Sequence, residues 1–320
     1  MNEFELIARF FSRPSRSATV HLGVGDDAAL LQPSAGCELA VSVDMLVAGR
    51  HFFADVDPEK LGHKTLAVNL SDMAAMGAAP RWAFLAGALP DIDAVWLAAF
   101  ARGFYALAER HGVELVGGDT TRGPLNLCVT ILGEVPEGTA LTRSGAKPGD
   151  DIYVSGVLGD AAFAVAAMTG QTGLPASDAA RARLEMPAPR IALGMALRGV
   201  ATAALDLSDG LTGDLAHILE RSGVGAVVDL GTIPRSQALA HMLRGVERPL
   251  ALRLLLAGGD DYELCFTAPG DAAARINAIA SETGVPLARI GSVTPTGGLV
   301  VNDERGIPLP ELPPAFDHFA

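Results

Sequence analysis

The sequence predicts two domains of mixed α/β or α+β architecture. Three observations lead there. Its 320 residues exceed what one hydrophobic core usually serves. Both halves alternate short apolar strand patterns with helical periodicities. A polar, turn-rich break, Arg143-Ser144-Gly145-Ala146-Lys147-Pro148-Gly149-Asp150, interrupts that alternation. The expected domains are therefore 1–140 and 141–320. At 49% hydrophobic and 19% charged residues, the composition supports packed cores and excludes disorder, collagen and a coiled coil.

Taken in order, Leu39 to Val43 reads as a strand. Asp57-Pro58-Glu59 reads as a helix start, with Asp as N-cap and Pro in the first turn, where its missing N–H costs nothing. That helix is expected to run to about Met76 and stop at Gly77. A second spans Asp93 to Arg110 and ends at His111-Gly112. Val113–Val116 and Leu125–Val135 follow as strands. Past the break come a strand at Ile152–Ser155, helices at 160–169 and 187–199, and a strand at Ala203–Leu207. A helix at Leu211–Ser222 and a strand at Ala226–Leu230 complete the pattern. The tail from Pro308 is proline-rich but carries Phe316, His318 and Phe319.

The balance of 24 Lys and Arg against 37 Asp and Glu gives −13, which excludes a general nucleic-acid surface. The three cysteines, Cys37, Cys128 and Cys265, are widely spaced and form no zinc cage or disulfide framework. Neither a signal-peptide pattern nor a run of ~18 apolar residues is present. The expectation is a cytoplasmic protein without membrane partners.

One pattern recurs: an apolar strand, then glycine or serine, then aspartate. It occurs at Gly23-Val24-Gly25-Asp26-Asp27, Val41-Ser42-Val43-Asp44 and Val116-Gly117-Gly118-Asp119. It returns at Leu205-Asp206-Leu207-Ser208-Asp209-Gly210 and Ala257-Gly258-Gly259-Asp260-Asp261. Any single example is ordinary turn chemistry; five point to carboxylates carried at element ends for binding. Asp72 adds to them. On the 58–76 helix it shares a face with Leu61, Thr65, Val68 and Met76, and no Lys or Arg lies three or four residues away. An inward carboxylate needs a partner, and a cation or a distant Arg would serve. Two carboxylates ~6 Å apart repel by roughly 3 kcal/mol at an effective dielectric near 20. Converging acids without clustered Cys or His therefore select a hard cation such as Mg²⁺, which usually serves a phosphate substrate. No GxxxxGK[ST] motif is present, and two aspartates make Gly23–Ala28 a poor dinucleotide loop.

In combination these segments resemble the thiamine-monophosphate kinase family of the aminoimidazole ribonucleotide synthetase superfamily. The resemblance rests on GVGDDAAL (23–30), DMLVAGRHF (44–52), LAVNLSDMAAMGAAP (66–80), GGDTTRG (117–123), LTRSGAKPGD (141–150), DLSDGL (206–211) and GGDDYELCF (258–266), in order along nearly the whole chain. It implies a two-domain superfamily fold. The N-terminal α/β domain would bind metal and ATP and pair its sheet across a homodimer, and the C-terminal domain would complete the active site. It also implies the activity, transfer of phosphate from ATP to thiamine monophosphate in the last step to thiamine diphosphate. Asp27, Asp44, Asp72, Asp119, Asp206 and Asp209 would bind several Mg²⁺ ions, with Ser42 beside them. Gly118, Asp119, Arg143 and Ser208 would contact ATP, and His51, Asp260 and Phe316 the thiamine phosphate. No catalytic base is implied, since the acceptor is already an oxyanion.

The sequence also departs from the family. Val43 stands where relatives often carry a hydroxyl, and Asp260 where many carry Glu. Other superfamily enzymes, such as selenophosphate synthetase, a purine-pathway synthetase or the hydrogenase maturation factor, fit less well. No cysteine lies near the N-terminal glycine-rich segment, and none ends the chain. A non-catalytic nucleotide-sensing dimer is opposed by the intact acids at every matching position.

Overall fold

A computed structural model describes residues 2–314. Residues up to Met73, with Ala78–Gly138, form one unit; Ala74–Gly77, with the chain from Thr139 onward, form the other. In the first unit, α1 (Glu3–Leu6) is closed by a capping box, in which Asn2 Oδ1 accepts the Glu5 N–H and Glu5 Oε2 accepts that of Asn2. A single π turn, Ile7–Phe11, continues it. The short strands β1 (Val20–Leu22) and β2 (Leu30–Leu31) flank the first glycine–aspartate segment. Then come β3 (Cys37–Val47), α2 (Pro58–Ala75), β4 (Ala79–Leu89), α3 (Ala94–His111), β5 (Glu114–Arg122) and β6 (Asn126–Pro136). The four long strands make one sheet in the order β3-β6-β4-β5, antiparallel except for β4 and β5, which α3 connects in parallel.

Helix α3 follows the predicted boundaries for local reasons. The Asp93 side chain accepts the Val95 and Trp96 N–H groups, and Gly112 takes the left-handed φ of 66° that ends the helix. Leu97, Phe100, Phe104 and Leu107 recur every three or four residues and are buried, each contributing roughly 1.5–3 kcal/mol. Helices α2 and α3 meet at two glycines. A Cβ on Gly62 would lie 2.0 Å from the Phe100 carbonyl oxygen, and one on Gly103 1.8 Å from that of Glu59. The contact is backbone against backbone.

The second unit contains β7 (Asp151–Ser155), α4 (Asp160–Met168), α5 (Asp178–Glu185), α6 (Ile191–Leu197), β8 (Ala203–Asp206), α7 (Leu211–Ser222) and β9 (Gly225–Asp229). It continues with α8 (Gln237–Met242), α9 (Arg248–Ala257), β10 (Leu264–Ala268), α10 (Ala273–Thr283), β11 (Leu287–Thr294) and β12 (Leu299–Asn302). The strands form one six-stranded sheet, β12-β9-β11-β7-β10-β8, with only β12 and β9 parallel. Tyr153 and Phe266 stack at 5.3 Å across β7 and β10. Every residue of β10 is buried, and burial pushes its Cys265 thiol upward in pKa.

Three expectations need correction. The predicted 187–199 helix is only Ile191–Leu197, because Pro187 and Pro189 lack N–H donors and bias their predecessors away from helical ψ. Asp44 and Asp119 lie inside β3 and β5, not after strand ends. The Gly258–Asp261 segment follows a helix, α9. Strand β4 has no counterpart among the expected elements, since its burial does not alternate.

Replacing Gly103 with alanine tests the helix contact. Alanine gains about 1 kcal/mol of helix propensity, but overpacking against backbone costs about 1–3 kcal/mol. The expected outcome is a lower urea midpoint; an unchanged or higher one would mean that α2 and α3 are free to separate.

Candidate active site

The first glycine–aspartate segment loops out after β1. Gly25 takes φ 123°, and Asp26 Oδ1 accepts the Asp27 N–H at 2.9 Å. Asp26 and Asp27 line a cavity of about 550 Å³, shared with Gly118 and Asp119 of β5. Phe4, Phe11, Trp96 and Phe100 line the same space, and Trp96 stacks on Phe100 at 5.3 Å. Gly118 is required there: at φ 151° an added Cβ would fall 1.9 Å from the Leu85 carbonyl oxygen.

Ser42, Asp44 and Asp72 form a second group in this unit. Along β3, Leu39, Val41, Val43 and Met45 are exposed, which puts Ser42, Asp44 and the buried Leu46 on the opposite face. There the Ser42 hydroxyl donates a short hydrogen bond to Asp72 Oδ2. The inward carboxylate of α2 thus has a hydroxyl partner from the sheet. Strand register puts Asp44 opposite Val129, Val129 opposite Leu85, and Leu85 opposite Gly118. Asp44 and Asp119 therefore stand three strand spacings apart, roughly 14 Å between backbones, too far to share one ion.

His51 sits in the turn after β3. Its own N–H donates to the Val47 carbonyl, while Nδ1 accepts the Val47 N–H at 3.0 Å. With Nδ1 accepting, the neutral ring carries its proton on Nε2.

In the second unit the DLSDGL and GGDDYEL segments are laced together. Leu207 N–H donates to the Glu263 carbonyl, Tyr262 N–H to that of Leu207, and Asp260 N–H to that of Ser208, each at 2.8 Å. Asp206 ends β8 and is buried, Asp209 is half-buried, and Ser208 is exposed. Asp260 and Tyr262 adopt left-handed φ of 64° and 50°, uncommon for residues with side chains. Arg143 is exposed on a loop pinned by Ser222, whose hydroxyl oxygen accepts the Gly145 and Ala146 N–H groups. Phe316 lies outside the described residues.

Three buried carboxylates outside the predicted site residues hold these loops: Asp214 on α7, and Asp261 and Glu263 within the GGDDYELCF segment. Asp214 Oδ2 accepts the Asp209 and Gly210 N–H groups, both at 3.0 Å. Burial pushes its carboxyl up to about 7; the N–H bonds oppose that rise, and the Asp209 charge adds to it. Asp261 Oδ1 accepts the Gly159 N–H at 2.8 Å, and burial holds its pKa well above the usual carboxylate range. Glu263, 1% exposed, takes Arg183 at 2.9 Å, Arg190 through two contacts, and the Ser155 hydroxyl. By sequence, Glu263 is marked by its place in the GGDDYELCF segment, directly before the fully buried β10.

Oxygen donors predominate at these loops, which fits a hard cation. Among the described residues, no three of His, Cys, Asp and Glu converge on one point. Magnesium seldom needs such a cage, since one or two carboxylates plus substrate phosphates usually hold it. Asp27 and Asp119 line one cavity, and Asp44 lies on the face of β3 from which Ser42 bonds Asp72. Among the described residues, no helix is long and apolar enough to cross a membrane.

The two units and their glycine–aspartate loops define an AIR synthase-type protein. Residues 25–135 match the model for AIR synthase related protein, N-terminal domain, and 147–304 that for the C-terminal domain. Within that class, the chain belongs to the thiamine-monophosphate kinase family. It is 48% identical over 326 residues to the thiamine-monophosphate kinase of Escherichia coli K12, covering 99% of this chain and 98% of that one. The structure of the Stenotrophomonas maltophilia K279a thiamine-monophosphate kinase is similar, with a TM-score of 0.84, 46% identity and 96% of both chains covered. A structure described as AaThiL complexed with AMPPCP and TMP gives a TM-score of 0.75 at 28% identity, over 90% of this chain and 89% of that one.

Removing one side of a buried ion pair costs about 3–5 kcal/mol. Glu263→Ala should therefore lower stability by that order in urea unfolding, and leave Arg190 without its partner. A loss near zero would mean that water replaces the carboxylate.

Proposed function

We propose that this chain transfers the γ-phosphoryl group of ATP to thiamine monophosphate, giving ADP and thiamine diphosphate. The cavity of the first unit carries this reading. There the acids of two glycine–aspartate segments face the same space as four aromatic rings. A nucleotide has both complements, a polyanionic tail and a flat, largely apolar base. Support comes from full-length identity to proteins named thiamine-monophosphate kinase.

Each set of residues then has a physical task. The main obstacle is repulsion between two polyanions, since the acceptor phosphate needs no deprotonation. Mg²⁺, when bound, supplies charge neutralisation and orientation of the phosphates. Asp27 and Asp119 would hold it at the cavity, Asp44 and Asp72 at the β3–α2 group with Ser42 positioning Asp72, and Asp206 and Asp209 on the DLSDGL loop. Val43 lacks a hydroxyl, so only its carbonyl has an oxygen to offer there. Gly118 offers its backbone to the nucleotide, Ser208 donates its hydroxyl to it, and the exposed Arg143 guanidinium clamps phosphate oxygens. His51 Nε2–H donates to the thiamine phosphate. Asp260 faces the same substrate with a shorter reach than Glu would have, and Phe316 supplies an aromatic face. Transfer is direct and in line, with no phosphorylated residue.

We also place a homodimer contact on β3. Leu39, Val41, Val43 and Met45 are 44–58% exposed along one edge strand, an apolar stripe of the kind soluble proteins usually cover. The expected species in light scattering is a dimer that Val43→Glu converts to monomer. A wild-type monomer would overturn this contact.

The activity is tested by product identity. With ATP and Mg²⁺, mass spectrometry should find thiamine diphosphate and ADP in equal amounts from thiamine monophosphate and none from free thiamine. Chelation should stop the reaction, and added Mg²⁺ restore it. Asp119→Asn should lower kcat/KM roughly 10²-fold or more, as expected when a group serving transition-state charge is lost. Product from free thiamine, or a trapped phosphoenzyme, would refute the reading.

A further inference from the structure

We propose that Asp214 is a positioning residue for phosphoryl transfer: its buried carboxylate fills the nest of backbone N–H groups at Ser208–Gly210, which presents the Ser208 and Asp209 side chains to the nucleotide. The inference rests on the proposed function, because it assigns the support of the loop that carries Asp206, Ser208 and Asp209.

The start of α7 leaves donors unsatisfied, as every helix start does. Gly210, its N-cap, has no side chain to cap them. Asp214 reaches back from the first turn instead. Its Oδ2 accepts the Asp209 and Gly210 N–H groups at 3.0 Å, and Ser208 N–H is a further donor. A cluster of N–H groups at a helix N-terminus is a common phosphate site. Here an internal carboxyl group, only 4% exposed, occupies it. The loop therefore has side chains, rather than this nest, to offer a phosphate.

The loop is fixed on its other side as well. Leu207 and Ser208 exchange backbone hydrogen bonds with Glu263, Tyr262 and Asp260. A Cβ on Gly210 would lie 2.6 Å from Ala257 Cα, so the turn is close-packed too. Within this arrangement Ser208 is exposed and Asp209 half-buried. Removing the acceptor would free the N–H groups to compete for phosphate or water, and the loop would lose its single orientation.

The test uses the full-length protein, with calorimetric binding of a non-hydrolysable ATP analogue plus Mg²⁺ and hydrogen exchange of the 207–214 peptide. Asp214→Asn keeps an oxygen of the same reach and should retain protection and affinity within about threefold. Asp214→Ala should expose the peptide to exchange and weaken analogue binding about tenfold or more, the scale of a lost hydrogen bond to a charged group. It should also raise the Mg²⁺ needed for half-maximal activity and leave the KM for thiamine monophosphate unchanged. If Asp214→Ala fails to fold, Asp214→Thr, close in volume but with a shorter reach, takes its place. Wild-type analogue affinity in the variant lacking the acceptor, or equal damage in Asp214→Asn, would overturn the proposal. These binding measurements do not depend on the acceptor substrate. A wild-type protein that binds the analogue but makes no thiamine diphosphate would sink the functional reading and leave the Asp214 comparison decisive.

Discussion

A carboxylate withdrawn from water must be met by donors or stay protonated, and the second unit is arranged around that constraint. Glu263 meets two arginines and a serine hydroxyl, Asp261 the Gly159 amide, and Asp214 the amides before α7. Glu263 thereby ties α5, the start of α6 and the end of β7 to the residue before β10, Asp261 ties the start of α4 to the same turn, and Asp214 ties α7 to the loop that precedes it. The left-handed backbone at Asp260 and Tyr262 is tolerated because hydrogen bonds hold both sides of that turn.

The first unit treats its acids differently. Asp26, Asp27 and Asp119 are exposed around a cavity that also carries aromatic rings. Their repulsion is relieved by solvent, and a cation with its phosphate would relieve it further. Two acids of this unit turn inward: Glu134 is buried against Arg81 and Ser34, and Asp72 finds Ser42. Both units thus hold some acids inside the fold against internal donors, and the first leaves the motif acids around its cavity exposed.

The legible parts of the fold were those with local causes. α3 carries an N-cap, a 3.6-residue stripe and a glycine stop within twenty residues, so both its ends could be read. The Leu211–Ser222 helix was as clear. β4 was not, because its burial does not follow the two-residue alternation that marks a half-exposed strand. The strands holding Asp44 and Asp119 extend past those residues, since pairing register, not residue type, decides where a strand ends. The candidate site divides in the same way. Glycine–aspartate motifs could be recognised as a set in chain order, whereas Asp214, Asp261 and Glu263 act through backbone amides and arginines distant in sequence. Asp261 and Glu263 lie inside a recognised motif that does not mark them as buried, and Asp214 lies outside the motifs.

The glycine contact between α2 and α3 has a mechanical side. Side chains at a helix interface can rotate and absorb a small displacement; two touching backbones cannot. Gly62 rests against the carbonyl of Phe100, a residue whose ring lines the cavity, and the helix of Gly62 also carries Asp72. One helix thus carries both the inward carboxylate and the glycine that sets its distance from α3, the helix whose Phe100 ring lines the cavity.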